Sequence, residues 1–194
     1  MCCASCGALN PVPLHELSLD YFELFGIPRG FDLDTQVLHH KYLALCRAIH
    51  PDTLENRSGA GRQQSLALSA QVNRAYETLR KPIARAEYLL TLAGGPSAGE
   101  DKSVPPELLA EIMMLREEID EAVFSQDAGG LQALRQQITR RREATLTQIA
   151  DLCRSMQNAD GNDRRQVHQQ LRERLNTVKY WNNLLEQLPA GSSA

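Results

Sequence analysis

Apolar residues in this chain recur every three or four positions, the spacing of one face of an α-helix, and no stretch of any length alternates with period two. Leu38, Tyr42, Leu45 and Ile49 form one stripe; Leu68, Val72, Ala75 and Leu79 form a second; Ile83, Ala86, Leu89 and Leu90 mark a shorter third. Three longer stripes follow. They are Leu108, Ile112, Leu115, Ile119 and Val123; Leu131, Leu134, Ile138, Leu146, Ile149 and Leu152; and Val167, Leu171, Leu175, Val178, Leu185 and Leu188. The pattern predicts an all-α protein.

Capping and breaking residues set the boundaries. Ser18 or Asp20 can cap a short first helix, which Gly26 ends and Pro28 stops from continuing. Asp34 caps the second, and Pro51 disfavours helical geometry at His50, so that helix ends there. A third helix is expected from about Arg62 to Arg80, and Pro82 suits the first turn of a fourth. Residues 1–17 hold three Cys, two Pro and no periodicity, so they read as an irregular arm. Residues 18–94 make a first domain, and the Gly-, Pro- and Ser-rich segment 95–106 reads as a linker. Residues 107–189 carry three helices with short polar breaks near 125–130 and 158–163, which predicts an antiparallel three-helix bundle.

Composition narrows the class. The chain has 194 residues, 42% hydrophobic, with 21 basic and 24 acidic side chains and a net charge of −3. That apolar fraction suits a globular protein, and the acidic balance argues against a nucleic-acid binder. No apolar run approaches the ~18 residues of a membrane span, so no membrane partner is expected. Cys2, Cys3, Cys6, Cys46 and Cys153 are odd in number and unevenly spread, which fits a reducing setting better than a disulfide framework. Without a secretory or transit signal in view, the expected location is the bacterial cytoplasm, or the mitochondrion for a processed chain.

Three places carry candidate chemistry. His50-Pro51-Asp52 opens a loop of about 12 residues between two helices, longer than the roughly 2–8 usual for such connections. It can be a plain helix stop and turn, a His/Asp dyad, or a stiff polar tip presented to a partner. No nucleophile or phosphate loop accompanies it, so no enzymatic activity is expected; a basic helix with His39, His40, Lys41 and Arg47 leads in. The second place is the helix from 107, where Leu109, Ala110, Met113 and Met114 add apolar surface beside the core stripe and run on into Glu117 and Glu121. This is either a wide core stripe or a docking face for a partner with an apolar spot flanked by basic groups. The third is Cys3-x-x-Cys6, half of a structural zinc site, which can equally be a thiol tail.

The first half resembles a J-domain: a short helix, a basic helix, His50-Pro51-Asp52, a long loop and a helix ending in QVNRAYETLRKP. DYFELFGIP, ARAEYLL and LREEIDEA narrow the resemblance to the HscB family of iron–sulfur co-chaperones, from about Leu19 to Leu188. The resemblance implies an L-shaped protein, a J-domain helical hairpin joined to a three-helix bundle. It implies two partners: an HscA/DnaK-class chaperone, whose ATPase the J-domain stimulates, and an IscU-like scaffold protein delivered to it. His50, Pro51 and Asp52, with Lys41 and Arg47, match the chaperone-binding positions. Leu109, Ala110, Met113, Met114, Glu117, Glu121 and Tyr180 match the scaffold-binding positions. Leu43, Ala44 and Ala48 stand where many general J-domains are basic, which points to a dedicated chaperone. Some members bind zinc through two N-terminal C-x-x-C pairs; only one is here, so no cofactor is required and zinc at Cys3 and Cys6 is a weak expectation. The alternative is a J-domain joined to a bundle that binds general clients or dimerises.

Overall fold

The computed structural model describes residues 19–49 and 59–189, with the backbone alone over 59–65. The described residues form seven helices and no strand: α1 (Tyr21–Phe25), α2 (Thr35–Ala48), α3 (Gly59–Arg80), α4 (Pro82–Leu92), α5 (Pro106–Phe124), α6 (Ala128–Met156) and α7 (Gly161–Gln187). They fall into two units, which divide between Arg85 and Ala86.

Asp20, not Ser18, caps α1. Its carboxylate accepts from the backbone N–H groups of Phe22 and Glu23 at 2.8 Å, and the Glu23 carboxylate accepts from the Asp20 N–H at 3.0 Å. This reciprocal box satisfies helix-end donors that a five-residue helix cannot pair internally. Gly26 closes the helix at φ 57°, the left-handed region that glycine enters without a Cβ clash. Asp34 caps α2 by accepting from the N–H groups of Gln36 and Val37.

The core of this unit is Phe22, Phe25, Leu38, Ile49, Val72, Ala75 and Leu79, all buried. Tyr42 and Leu45 complete the α2 stripe but are only half-buried. Tyr42 instead stacks on Tyr76 of α3, ring centroids 4.1 Å apart, and its hydroxyl donates to Asn73 Oδ1 at 2.9 Å. A hydrogen bond with Cys46, and then partial burial, hold that hydroxyl above the ordinary tyrosine pKa. The end of α3 is closed by buried Arg85, which donates to the Leu79 carbonyl at 2.6 Å while its guanidinium lies over the Phe31 ring.

In the second unit α5, α6 and α7 form the expected bundle around Leu108, Ile112, Leu115, Ile119, Ala122, Leu134, Ile138, Trp181, Leu184 and Leu188. Several core positions differ from the sequence pattern by one residue: Ala122 is buried and Val123 is 47% exposed, and Thr145, Cys153 and Leu184 are buried where Leu146, Leu152 and Leu185 are only half-buried. Near the end of α5 the buried wall thus shifts by one residue, to Ala122. Trp181 is buried with its indole N–H donating to Thr145 Oγ1 at 3.1 Å, and Thr145 donates in turn to the Arg141 carbonyl. That chain gives the buried Trp181 indole N–H and the Thr145 hydroxyl their partners.

α7 also buries polar residues that hydropathy did not mark: His168, Arg172, Asn176 and Thr177. Arg172 is fully buried and grips Glu87 of α4 with two parallel bonds of 2.5 and 2.7 Å; Lys179 adds a third contact at 3.2 Å. Burial opposes the charge on Glu87, but the hydrogen bonds and charge of Arg172, with Lys179, outweigh it and hold the carboxyl below its usual range. Burial, with Arg164 nearby, pushes the His168 imidazole below the ordinary histidine pKa, which favours its neutral form.

The division inside α4 precedes the 95–106 segment that composition marks as a linker, and the contacts give the reason. Glu87 fixes the second half of α4 to α7, and Asn176 donates to the carbonyls of Asp101 and Ser103 at 3.1 and 3.0 Å. The segment is a pinned strap on the bundle unit, not a free tether. Gly95 begins it where a Cβ would fall 2.2 Å from Leu90 Cδ1, so any larger residue there would require the buried Leu90 side chain to shift.

Candidate functional site

His50, Pro51 and Asp52 lie outside the described residues, as do Cys3 and Cys6 and the rest of the N-terminal arm. The basic helix that leads into the tripeptide is described, and its cations divide by role. Lys41 and Arg47 are six residues apart, about 120° round the helix from one another. Lys41 is half-buried and its ammonium donates to the Gly26 carbonyl at 3.2 Å, tying the end of α1 to α2. Arg47 is exposed, on the same face as Gln36, His40 and the exposed Leu43. His39 turns aside, its Nδ1 2.9 Å from the Tyr76 hydroxyl. The solvent-facing side of α2 therefore presents Arg47 and His40, with Lys41 at its margin.

Beside it, Thr35, Gln36, His39, His40, Tyr76, Arg80, Lys81 and Pro82 line a shallow groove of about 630 Å³. Its two cations are already matched: Arg80 and Lys81 pair with Glu77 at 2.9 and 3.0 Å. Their hydrogen bonds, Arg80 first, hold the Glu77 carboxyl below its usual range.

On α5 the structure decides between a wide core stripe and an outward face. Leu109 is 45% exposed, Met113 64% and Met114 61%. Ala110, Glu117 and Glu121 are exposed too, so six expected scaffold-binding positions share one open surface. None is needed to close the bundle, whose wall is Leu108, Ile112, Leu115 and Ile119. Tyr180 is half-buried and packs against that core cluster from α7, a ring shared between interior and surface. Trp181, its neighbour, is core. Sequence reasoning missed Phe124, the last residue of α5, which is 91% exposed. The signal is an apolar residue where the helix ends, one position beyond the Val123 that closes the periodic stripe. Among the described residues no group of three or more His, Cys, Asp or Glu could hold a metal, and no helix is long and apolar enough to cross a membrane.

The comparisons with known proteins agree with one another. A family model for the HscB C-terminal oligomerisation domain matches residues 104–189. The co-chaperone protein HscB of Proteus mirabilis is 39% identical over 116 residues, 59% of this chain and 67% of that protein. The solved structure of chaperone HscB from Vibrio cholerae superposes with a TM-score of 0.72 at 30% identity, covering 88% of this chain and 95% of that one. The chain belongs to the HscB co-chaperone family. The crystal structure of human co-chaperone protein HscB is also similar, with a TM-score of 0.75 at 26% identity over 96% of this chain and 87% of that one. HscB membership makes the protein a J-domain co-chaperone of iron–sulfur cluster assembly, and its fold is the J-domain plus helical bundle that the sequence resembled. Within the HscB chain the matched family model begins at Val104, on the pinned strap, and takes in the whole bundle with the exposed α5 face.

Proposed function

We propose that this HscB protein stimulates the ATPase of an HscA/DnaK-class chaperone and delivers an IscU-like iron–sulfur scaffold protein to it. His50, Pro51 and Asp52 form the chaperone-docking tip, with Arg47 and Lys41 beside it. Leu109, Ala110, Met113, Met114, Glu117 and Glu121, with Tyr180, hold the scaffold. The observation that carries the reading is the α5 face: long apolar side chains left in water where the bundle core has no use for them. Leu109, Met113 and Met114 each still have about half of their surface in water, so covering each under a partner contributes about 1–2 kcal/mol. The unbranched methionines adapt to the surface they meet, while Glu117 and Glu121 steer a basic rim into register.

The protein performs no chemistry in this scheme; the chaperone hydrolyses ATP, in the cytoplasm of a bacterium. Joining two modest sites on one chain raises the effective concentration of the second contact once the first has formed. The test is steady-state ATPase of the chaperone. The parent chain should stimulate it several-fold, and His50→Gln should return it to the basal rate with an unchanged circular-dichroism spectrum. A His50→Gln chain that stimulates as well as the parent removes the docking role. The oligomerisation label of the matched domain favours a second reading, a dimerising bundle. That reading predicts a concentration-dependent mass in sedimentation and no binding of the scaffold.

A further inference from the structure

Phe124 is the most exposed large apolar side chain among the described residues, at 91%. It is not a frayed end. The backbone after it is held by Ser125 N–H to the Glu121 carbonyl at 2.9 Å and by Asp127 N–H to the Ala122 carbonyl at 2.9 Å. The backbone that carries the ring is therefore held in place at the helix terminus. The ring contributes nothing to the core, which closes at Ala122.

Its angular position is informative. At about 100° per residue, the face from Leu109 to Glu121 spans an arc of about 140°: Leu109 at one edge, Met113 inside it, Glu117 near the middle and Met114 at the far edge. Phe124 falls about 60° round from Leu109, near the centre of that arc, and about 16 Å along the axis from Met113. Between the two apolar positions the exposed face carries Glu117, Asp120 and Glu121. One face thus reads apolar, acidic, apolar.

We infer that Phe124 is a second apolar anchor for the same partner, so that the scaffold's footprint runs the length of α5. This rests on the scaffold-docking reading of the face. The occupant it specifies has two apolar spots separated by a basic belt, complementary to the three carboxylates. A large aromatic ring on a held backbone at an open surface has the character of an interface hot spot, since it offers much apolar area and has only two side-chain torsions to order.

The test is calorimetric titration of the full chain with the IscU-like scaffold protein, comparing parent, Phe124→Ala, Phe124→Leu and Met113→Lys. Phe124→Ala should weaken binding about tenfold and Phe124→Leu by less than about threefold. Because the ring lies outside the core, the thermal midpoints of both should match the parent. If Met113→Lys loses binding while Phe124→Ala stays within about twofold of the parent, the second anchor is wrong and the docking face stands. If Met113→Lys binds like the parent, the docking face fails and the anchor with it. A Phe124→Ala variant that changes only self-association in sedimentation assigns the ring to a second copy of the chain, which also overturns the inference.

Discussion

Met113→Lys combined with Glu117→Lys should abolish recognition of the scaffold, with affinity falling at least about 100-fold, or about 2.7 kcal/mol. The first change places an ammonium where apolar surface must be covered; the second reverses a carboxylate that faces a basic rim. Like charges brought together across an interface cost several kcal/mol, and neither lysine can withdraw without giving up the contact. Both parent side chains are exposed, so stability should change by no more than about 0.5 kcal/mol. Titration calorimetry on the scaffold and urea unfolding of the free chain check the two halves. A double variant that binds like the parent refutes the α5 face.

Arg172→Leu should destabilise the bundle unit by about 3 kcal/mol, read as a fall in the urea midpoint of about 1–2 M. Arg172 has a fully buried side chain, and its two bonds to Glu87 hold α4 against α7. Removing the guanidinium leaves a partly buried carboxylate with Lys179 alone, and an unpaired charge costs more than the pair contributes. Arg172→Leu with Glu87→Leu should therefore recover most of the loss. The pair also gives an acid dependence. The folded pKa of Glu87 is depressed, so its stabilisation is present above the unfolded value of about 4.3 and is lost as pH falls through the folded value. The parent should lose that increment on acidification, and the double leucine variant should not. Equal stability of Arg172→Leu and parent at neutral pH would remove the bridge from this account.

The elements were legible because each helix writes its own period and punctuation. Asp34 as a cap, Gly26 as a stop, Pro82 in a first turn and the core stripe Leu108, Ile112, Leu115 and Ile119 are all local signals, and all appear in the fold. What stayed hidden depends on partners distant in sequence. Arg172 and Asn176 look like surface residues until Glu87, 85 positions away, and the carbonyls of Asp101 and Ser103 come to meet them. For the same reason a strap tied to the bundle looked like a linker. Lys41 reads as a docking cation from sequence, and only the fold shows that its ammonium also donates to the Gly26 carbonyl. The α5 face was ambiguous for another cause: periodicity tells which residues share a side, but not whether a neighbouring helix covers it. The exposure of Leu109, Met113 and Met114 in the fold resolves that, and it brings Phe124 into view.

The central claim is that one chain serves two proteins at once, and chaperone ATPase measured with this chain and the scaffold together tests it most directly. With both present, stimulation should exceed the product of their separate effects. His50→Gln should remove the chain's share, and Met113→Lys with Glu117→Lys should remove the excess while leaving the chain's own stimulation intact. Stimulation by the pair that is no more than the product of their separate effects, or an excess that survives the α5 double variant, would contradict the account.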